Sequence, residues 1–105
     1  MYDKDKLLYL AGFVDGEGCF SILHSSAGGR TKKYAVPCLS ITQVNKEVLE
    51  WIKSYFGGNL CIARRASLHS QECWQWRISW NKARLLARAL QPYLIVKREQ
   101  VKRIM

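Results

Sequence analysis

Apolar side chains near the N-terminus recur with the 3.6-residue period of an α-helix. The residues that share this period are Leu7, Leu8, Leu10, Ala11 and Val14. Asp3 or Asp5 can accept a hydrogen bond from the first turn, and Gly16 and Gly18 are typical of a helix end. The pattern therefore predicts a first helix that buries one apolar face.

Two segments then alternate between apolar and polar residues, which is typical of strands with one buried face. The first runs over residues 19–24 and the second over residues 33–43, with Ser-Ser-Ala-Gly-Gly at 25–29 between them. Residues 60–65 and 73–80 repeat this arrangement around a second polar connection. We predict two β-hairpins, the first with a long polar tip.

Helical periodicity returns after each hairpin. Asn45 can cap a helix over residues 46–56, which ends at Gly57. Asn81 can cap a further helix that continues to Leu90. Each hairpin is therefore predicted to lead directly into a helix.

Proline interrupts the helical pattern near the C-terminus. Pro92 ends the third helix, and residues 94–105 are predicted to be helical again. The apolar seam of this last helix consists of Val96, Val101 and Ile104. The order α-β-β-α-β-β-α-α indicates one α+β domain over residues 1–105, with helices on one face of an antiparallel or mixed four-stranded sheet.

Alternate side chains divide the predicted sheet into an apolar face and a polar face. The last strand sets Trp74, Trp76, Ile78 and Trp80 against Gln75, Arg77 and Ser79. Hydroxyls, amides and arginines are the groups that hydrogen-bond base edges when a β-ribbon enters the DNA major groove. A half-solvated sheet with no ligand shows the same pattern. The candidate DNA contacts are Ser21, Tyr34, Ser40, Thr42, Arg64, Arg65, Gln75 and Arg77.

Basic charge is concentrated in the second half of the chain. The sequence has 17 Lys and Arg against 8 Asp and Glu, a net charge of +9. Residues 1–50 are neutral overall, whereas residues 51–105 carry eleven basic and two acidic side chains. This asymmetry favours a polyanionic partner, nucleic acid before a membrane, because no basic segment has a strongly apolar opposite face. A solvated basic surface without a partner is the alternative.

Neither a membrane span nor a secretory signal is recognisable in the sequence. We therefore expect a soluble intracellular protein, in the cytoplasm, an organelle or a phage-infected host.

The cysteines lack the CxxC spacing of zinc sites, and the chain lacks the secretory context of disulfides. We expect Cys19, Cys38, Cys61 and Cys73 to be reduced, buried thiols.

The end of the first helix carries the most specific motif in the chain. Residues 10–18 read Leu-Ala-Gly-Phe-Val-Asp-Gly-Glu-Gly. This segment resembles the LAGLIDADG motif of homing endonucleases over nine consecutive positions, and the predicted elements from residue 7 to about residue 105 follow the family's order. The resemblance implies an αββαββα fold and a DNA endonuclease.

A single copy of the motif in the chain implies a homodimer in which two motif helices cross at a twofold axis. Ala11 and Gly12 are small enough to let a second helix approach closely. The predicted dimer interface consists of Leu7, Leu10, Ala11, Gly12, Val14 and Asp15.

The resemblance also implies which residues carry the chemistry. Glu17 matches the family's metal-binding acid, with Gly16 beside it, and Asp15 matches an acid that is mainly structural. Two Glu17 side chains at a dimer axis would repel each other unless a hard divalent cation lay between them, and Mg²⁺ fits, with two or three ions expected per dimer. Gln43 and Lys97 match positions near the catalytic water and the cleaved phosphate.

The function expected from the resemblance is a homodimeric, Mg²⁺-dependent endonuclease. It would bind a long, near-palindromic double-stranded DNA site and cut both strands. The alternative on the same fold is a non-cleaving DNA-binding regulator or an RNA-splicing maturase, for which RNA would be the partner.

Overall fold

Three helices and four strands alternate along the chain in the predicted order, followed by two short 3-10 helices. The computed structural model describes residues 2–26 and 33–105, so residues 27–29 of the predicted hairpin tip lie outside the described residues. The elements are α1 (Lys4–Glu17), β1 (Gly18–Ser26), β2 (Lys33–Gln43), α2 (Lys46–Phe56), β3 (Asn59–Arg64), β4 (Cys73–Ser79) and α3 (Trp80–Leu90). The 3-10 helices are Gln91–Tyr93 and Gln100–Arg103.

The four strands form one antiparallel sheet in the order β1-β2-β4-β3. The α+β fold class is therefore confirmed, and the antiparallel form of the sheet is the one adopted. Leu39 pairs with Phe20 on one side and with Ile78 on the other, and all three side chains are buried. This row and its neighbour, Ile41 beside Trp76, form the apolar face that packs under the helices.

Side-chain caps define where two of the helices begin. The Asp3 carboxylate accepts a hydrogen bond from the Lys6 backbone N–H at 3.1 Å, so Asp3 rather than Asp5 caps α1. The Asn45 side chain accepts one from the Val48 N–H at 3.0 Å and caps α2, as predicted. These bonds satisfy N–H groups that lack partners in a first helical turn.

No helix among the described residues is long and apolar enough to cross a membrane.

The start of α3 differs from the prediction. The helix begins at Trp80, with Ser79 rather than Asn81 in the capping position. Trp80 has a φ of +61°, a left-handed conformation at the point where β4 passes into α3. Its side chain is 54% exposed. The prediction that Trp80 shares the buried face of β4 is therefore wrong, because strand alternation stops at Ser79.

The C-terminal segment also differs from the prediction. Regular helical structure after Leu94 is limited to Gln100–Arg103, and Val96 is 77% exposed rather than part of an apolar seam. Val101 and Ile104 do pack into the core, as predicted. The Gln100 side chain accepts a hydrogen bond from the Phe20 backbone N–H at 3.2 Å, which satisfies a donor on the edge strand β1.

The cysteines are free thiols, but only two of them are buried. Cys38 and Cys73 are buried, whereas Cys19 and Cys61 are exposed. Cys19 and Cys61 alternate with core residues of the edge strands β1 and β3, so they lie on the opposite side of the sheet from the helices. The expectation of four buried thiols is therefore wrong at these two positions.

The turn between α2 and β3 depends on two adjacent glycines with positive φ. A Cβ atom at Gly58 would lie 2.7 Å from the Arg77 carbonyl oxygen and 2.7 Å from Trp76 Nε1, whereas one at Gly57 would meet nothing within 4 Å. We expect Gly57→Ala to lower the free energy of unfolding by about 1–3 kcal/mol through backbone strain alone. Gly58→Ala should cost more, since it adds a clash with backbone. Urea denaturation of both variants checks this order, and equal losses would contradict it.

Candidate nucleic-acid interface and catalytic end

The sheet face that points away from the helices carries rows of short polar side chains, and we call it the polar face. Its members among the described side chains include Cys19, Ser21, Ser40, Thr42, Asn59, Cys61, Gln75 and Arg77. Ser40 pairs with Arg77 and Thr42 pairs with Gln75 across β2 and β4. The structure therefore brings four of the predicted DNA contacts into two adjacent rows.

Two further predicted contacts, Ser21 and Tyr34, belong to the β1–β2 hairpin. Ser21, on β1, is partly exposed on the polar face, opposite Cys38. The side chain of Tyr34 lies outside the part of the chain that the structure describes. Sequence reasoning missed Asn59, which pairs with Arg77 and is exposed. The alternation of Leu60 and Ile62 with polar neighbours is the signal that could have placed it there.

The arginines of the β3–β4 hairpin do not form a uniform basic row. Arg64 donates from Nε and Nη2 to the Gln71 carbonyl oxygen, at 3.3 and 3.2 Å, and from Nη2 to Cys73 Sγ at 3.0 Å. Its guanidinium therefore also holds the connection between the two strands. Arg65 is exposed just beyond the end of β3.

On β4, Arg77 and Gln75 are joined to each other. Arg77 Nη2 donates a hydrogen bond to Gln75 Oε1 at 3.1 Å, and both side chains are half-buried. Arg77 Nε is buried and has no hydrogen-bond partner among the described residues. Among the described residues, the guanidinium of Arg77 therefore donates its side-chain hydrogen bond to Gln75 Oε1.

Glu17 is the last residue of α1, at the point where the chain turns directly into β1. The turn is tight, because a Cβ atom at Gly18 would lie 2.9 Å from both Val14 Cγ1 and the Val14 carbonyl oxygen. Glycine at position 18 thus allows the strand to start without a loop. Gly16 and Glu17 are both exposed there.

The Asp15 carboxylate binds the backbone of a segment about eighty positions further along the chain. Its Oδ2 accepts hydrogen bonds from the N–H groups of Ile95 and Val96, each at 3.0 Å, and its Oδ1 accepts one from Lys97 at 2.8 Å. The Lys97 ammonium in turn donates to the Asp15 carbonyl oxygen at 2.8 Å. Lys97 is therefore held at the end of α1, two residues before Glu17.

This arrangement changes the acidity of Asp15. Partial burial raises the pKa of the Asp15 carboxyl, but the hydrogen bonds from Val96, Lys97 and Ile95, together with the Lys97 charge, outweigh it and leave the pKa below its ordinary value. The ionised form is thus favoured in the folded chain. Its contribution to stability is complete above the unfolded-state pKa of about 3.9 and is lost as the pH falls through the lower folded-state value.

We expect Asp15→Asn to lower the free energy of unfolding at neutral pH, because the amide has lost the charge that attracts three N–H donors. The difference from the wild-type chain should shrink as the pH falls from about 4 towards 2. Denaturant unfolding of both proteins across this range checks it. A difference that stays constant down to pH 2 would contradict the role of the ionised carboxylate.

Gln43, at the end of β2, folds back on its own backbone. Its Oε1 accepts hydrogen bonds from the N–H groups of Val44, at 2.9 Å, and Asn45, at 3.4 Å. Since Gly18 pairs with Ile41, the backbone of Gln43 lies two positions beyond the start of β1. Gln43 thus lies close to the C-terminal end of α1, and its side-chain amide oxygen binds the backbone of the turn that leads to α2.

Most side chains predicted for a dimer interface pack inside the chain itself. These buried residues are Leu7, Leu10, Ala11 and Val14, each at most 7% exposed. Asp15 is also occupied, by the backbone of the 95–97 segment. Within one chain these five positions are thus occupied by its own core or its 95–97 segment, and the dimer interface stays a prediction. Gly12 is exposed, beside Leu8 and Tyr9, which are 41% and 53% exposed.

Glu17 is the acid at the exit of α1 that could bind a metal ion. Carboxylate oxygens suit a hard cation such as Mg²⁺. In residues 2–26 and 33–105, no three or more His, Cys, Asp or Glu side chains are grouped so that they could hold a metal ion. The exposed Glu17 carboxylate fits as one ligand, and a second chain, DNA phosphate or water would supply the others.

Comparison with known proteins places this arrangement in a family. The family model described as LAGLIDADG endonuclease matches residues 10–100, from the middle of α1 to beyond the segment that carries Lys97. The chain belongs to the LAGLIDADG endonuclease family. The resemblance of residues 10–18 to the motif is thereby confirmed. No curated protein matches the chain.

Solved structures of LAGLIDADG homing endonucleases share the fold. The homing endonuclease I-CvuI, in complex with a DNA target, is similar with a TM-score of 0.76 and 25% identity over 94% of this chain and 62% of its own. The archaeal intron-encoded I-Vdi141I, complexed with DNA, gives a TM-score of 0.71 and 26% identity over 95% and 65%. The LAGLIDADG chain described here thus spans less than two thirds of either relative.

Proposed function

We propose that the chain is a homodimeric, Mg²⁺-dependent DNA endonuclease that cuts both strands of a long, near-palindromic site. The observation that carries this proposal is the arrangement at the C-terminal end of α1. The Lys97 ammonium donates a hydrogen bond to the Asp15 carbonyl oxygen at 2.8 Å, and Glu17 is the last residue of the helix. The exit leads directly into β1, one strand of the sheet that presents the polar face. The proposal is supported because a carboxylate residue and a lysine ammonium both lie at the exit of α1, next to a surface suited to nucleic acid.

Each of these residues has a distinct role in the proposed reaction. Glu17 would bind the divalent ion, and the ion would activate water and stabilise the leaving oxygen in phosphodiester hydrolysis. The Lys97 ammonium would stabilise negative charge that develops on the phosphate. Asp15 would keep Lys97 in place, because its carboxylate binds the backbone that carries this lysine. Gln43 remains a candidate for ordering water near the phosphate.

The proposed homodimer is supported by the single copy of the motif and by the exposed face of α1. Gly12, Leu8 and Tyr9 lie at helical spacing on that face, where a glycine allows a second backbone to approach. A twofold axis beside this face would bring two copies of Glu17 towards one another. Like-charge repulsion between them would be relieved by divalent cations.

The relatives complexed with DNA support a nucleic-acid substrate, as does the net charge of +9. Each four-stranded sheet would contact one half-site through its polar face, and a twofold protein would require an approximate twofold in the DNA. A carboxylate at position 17 favours cleavage over binding alone, because paired acids facing a polyanion weaken binding unless a cation is used.

The proposal is tested by incubating the purified chain with a randomised double-stranded DNA library and Mg²⁺, then sequencing bound and cut molecules in parallel. Cut ends at the centre of a near-palindrome are expected. A near-palindrome that is bound but intact would instead indicate a DNA-binding regulator. If neither pool is enriched, binding of structured RNA tests the maturase alternative.

Arg77→Ala should remove base preference at the base pair that Arg77 contacts in each half-site, at a cost of about 1–3 kcal/mol in binding. The side chain is half-buried on the polar face, where its position is well defined. Arg88→Ala is the matched control, since Arg88 is exposed on α3, in the helical layer. Binding selection with both variants checks this, and an unchanged site for Arg77→Ala would remove it from the set of base contacts.

A further inference from the structure

The hydrogen bond between Arg77 and Gln75 restricts what this pair can offer to a ligand. An arginine guanidinium has five N–H donors and no acceptor, so the Gln75 atom that it contacts at 3.1 Å must be the amide oxygen. Once that oxygen is engaged, the glutamine presents mainly its NH₂ group. The oxygen keeps a second lone pair, but the bond from Arg77 uses the first and fixes the orientation of the amide, so the two side chains together present mainly donors.

Register places the pair in the middle of the polar face rather than at its rim. Gln75 lies between Thr42 and Cys61, and Arg77 lies between Ser40 and Asn59. Residues two apart on a strand point to the same side and are about 6.5 Å apart, so the two side chains can reach neighbouring base pairs. Both are half-buried, which limits the conformations available to them.

The donors and acceptors of the bases decide what such a pair can read in the major groove. Guanine presents two adjacent acceptors, N7 and O6, whereas adenine presents an acceptor and a donor, and cytosine presents a donor. The usual glutamine–adenine contact needs the glutamine oxygen to accept from adenine N6. In this chain, that oxygen already accepts from Arg77.

We propose that Gln75 and Arg77 act as a mainly donating pair that selects guanine at the base pairs they contact, and that Arg77 disfavours the bidentate contact of Gln75 with adenine by fixing the orientation of its amide. This inference rests on the proposed DNA-binding function. Arg77 then determines the base preference at two base pairs. It contacts its own base pair, and it sets the preference of its neighbour by occupying the Gln75 oxygen.

Binding selection from a randomised double-stranded DNA library tests the inference, with Ca²⁺ in place of Mg²⁺ to limit cutting. The base pair read by Gln75 is identified as the one whose preference is lost in Gln75→Ala. The wild-type chain should prefer guanine there. Arg77→Met keeps a long side chain but frees the glutamine oxygen, and it should move the preference at that base pair to adenine, a relative change of at least about tenfold.

Arg88→Met is the matched control for Arg77→Met, because Arg88 is exposed on α3, in the helical layer, and does not take part in the Arg77–Gln75 bond. It should leave guanine preferred at the Gln75 base pair. A second readout needs no protein variant. Replacing that guanine by 7-deazaguanine removes the N7 acceptor and should weaken binding of the wild-type chain about tenfold, with little effect on Gln75→Ala.

The outcomes separate this inference from the proposed function. A selected site with adenine at the Gln75 base pair in the wild-type chain overturns the inference alone, as does an unchanged preference in Arg77→Met. If no DNA site is selected by the wild-type chain, the proposed function fails, and the inference fails with it.

Discussion

Glu17→Gln abolishes DNA cleavage and leaves binding nearly intact, if Glu17 is the metal ligand. The amide keeps the volume of the side chain and its place at the exposed end of α1, but it removes the negative charge that attracts a divalent cation. Changing a residue that merely supports a metal ligand costs about 10- to 100-fold in affinity or activity, so the loss here should be at least about a hundredfold. Cleavage of the selected site at saturating protein measures it.

Glu50→Gln provides the matched control for this substitution. Glu50 is an exposed acid on α2 whose carboxylate lies 3.5 Å from the Lys46 ammonium, a surface pair worth about half a kcal/mol or less. The control should cut at the wild-type rate. If Glu17→Gln still cuts at that rate while binding normally, the metal site lies elsewhere in the molecule.

Removal of the Trp76 ring should cause the largest loss of stability. The side chain is fully buried, and its Nε1 donates a hydrogen bond to the Gly57 carbonyl oxygen at 2.7 Å, so it joins the middle of the sheet to the turn after α2. Trp76→Ala should lower the free energy of unfolding by about 3–5 kcal/mol through the lost contacts and the cavity left behind. This is a large share of the roughly 5–15 kcal/mol that stabilises a typical domain.

Trp74→Ala tests whether burial causes this loss. Trp74 lies on the same face of the same strand, but it is only half-buried, with the Lys46 ammonium 4.2 Å from its ring centre. Its removal should cost clearly less than that of Trp76. Trp76→Phe keeps a buried ring but removes the hydrogen bond and part of the ring volume, and it should cost less than Trp76→Ala, about 1–3 kcal/mol. Urea denaturation of the three variants measures these values, and equal losses for both alanine variants would refute the argument.

Local patterns in the sequence were sufficient for most of the secondary structure. The helix over Lys46–Phe56 has the predicted bounds and the predicted Asn45 cap, because capping and helical periodicity depend on neighbours within a few positions. Alternation in β4 correctly assigned Trp76 and Ile78 to the core and Gln75 and Arg77 to the other face. The motif over residues 10–18 was specific enough to identify the family.

The same local patterns failed where distant residues compete for a segment. Residues 94–105 have helical periodicity, yet the N–H groups of Ile95, Val96 and Lys97 are held by the Asp15 carboxylate, and only Gln100–Arg103 forms a 3-10 helix. Periodicity also identified an apolar face on α1 without saying what covers it. The chain's own core covers that face and leaves the side that carries Gly12 exposed.

The sequence by itself determined the elements, the two faces of the sheet and the identity of the residues at the end of α1, because each depends on spacing along the chain. Tertiary structure alone decided which of those residues meet. It brought Lys97 to the Asp15 carbonyl oxygen and directed Arg77 onto the oxygen of Gln75. Such contacts depend on how the elements pack and where each side chain finds a partner, and spacing along the chain does not specify either.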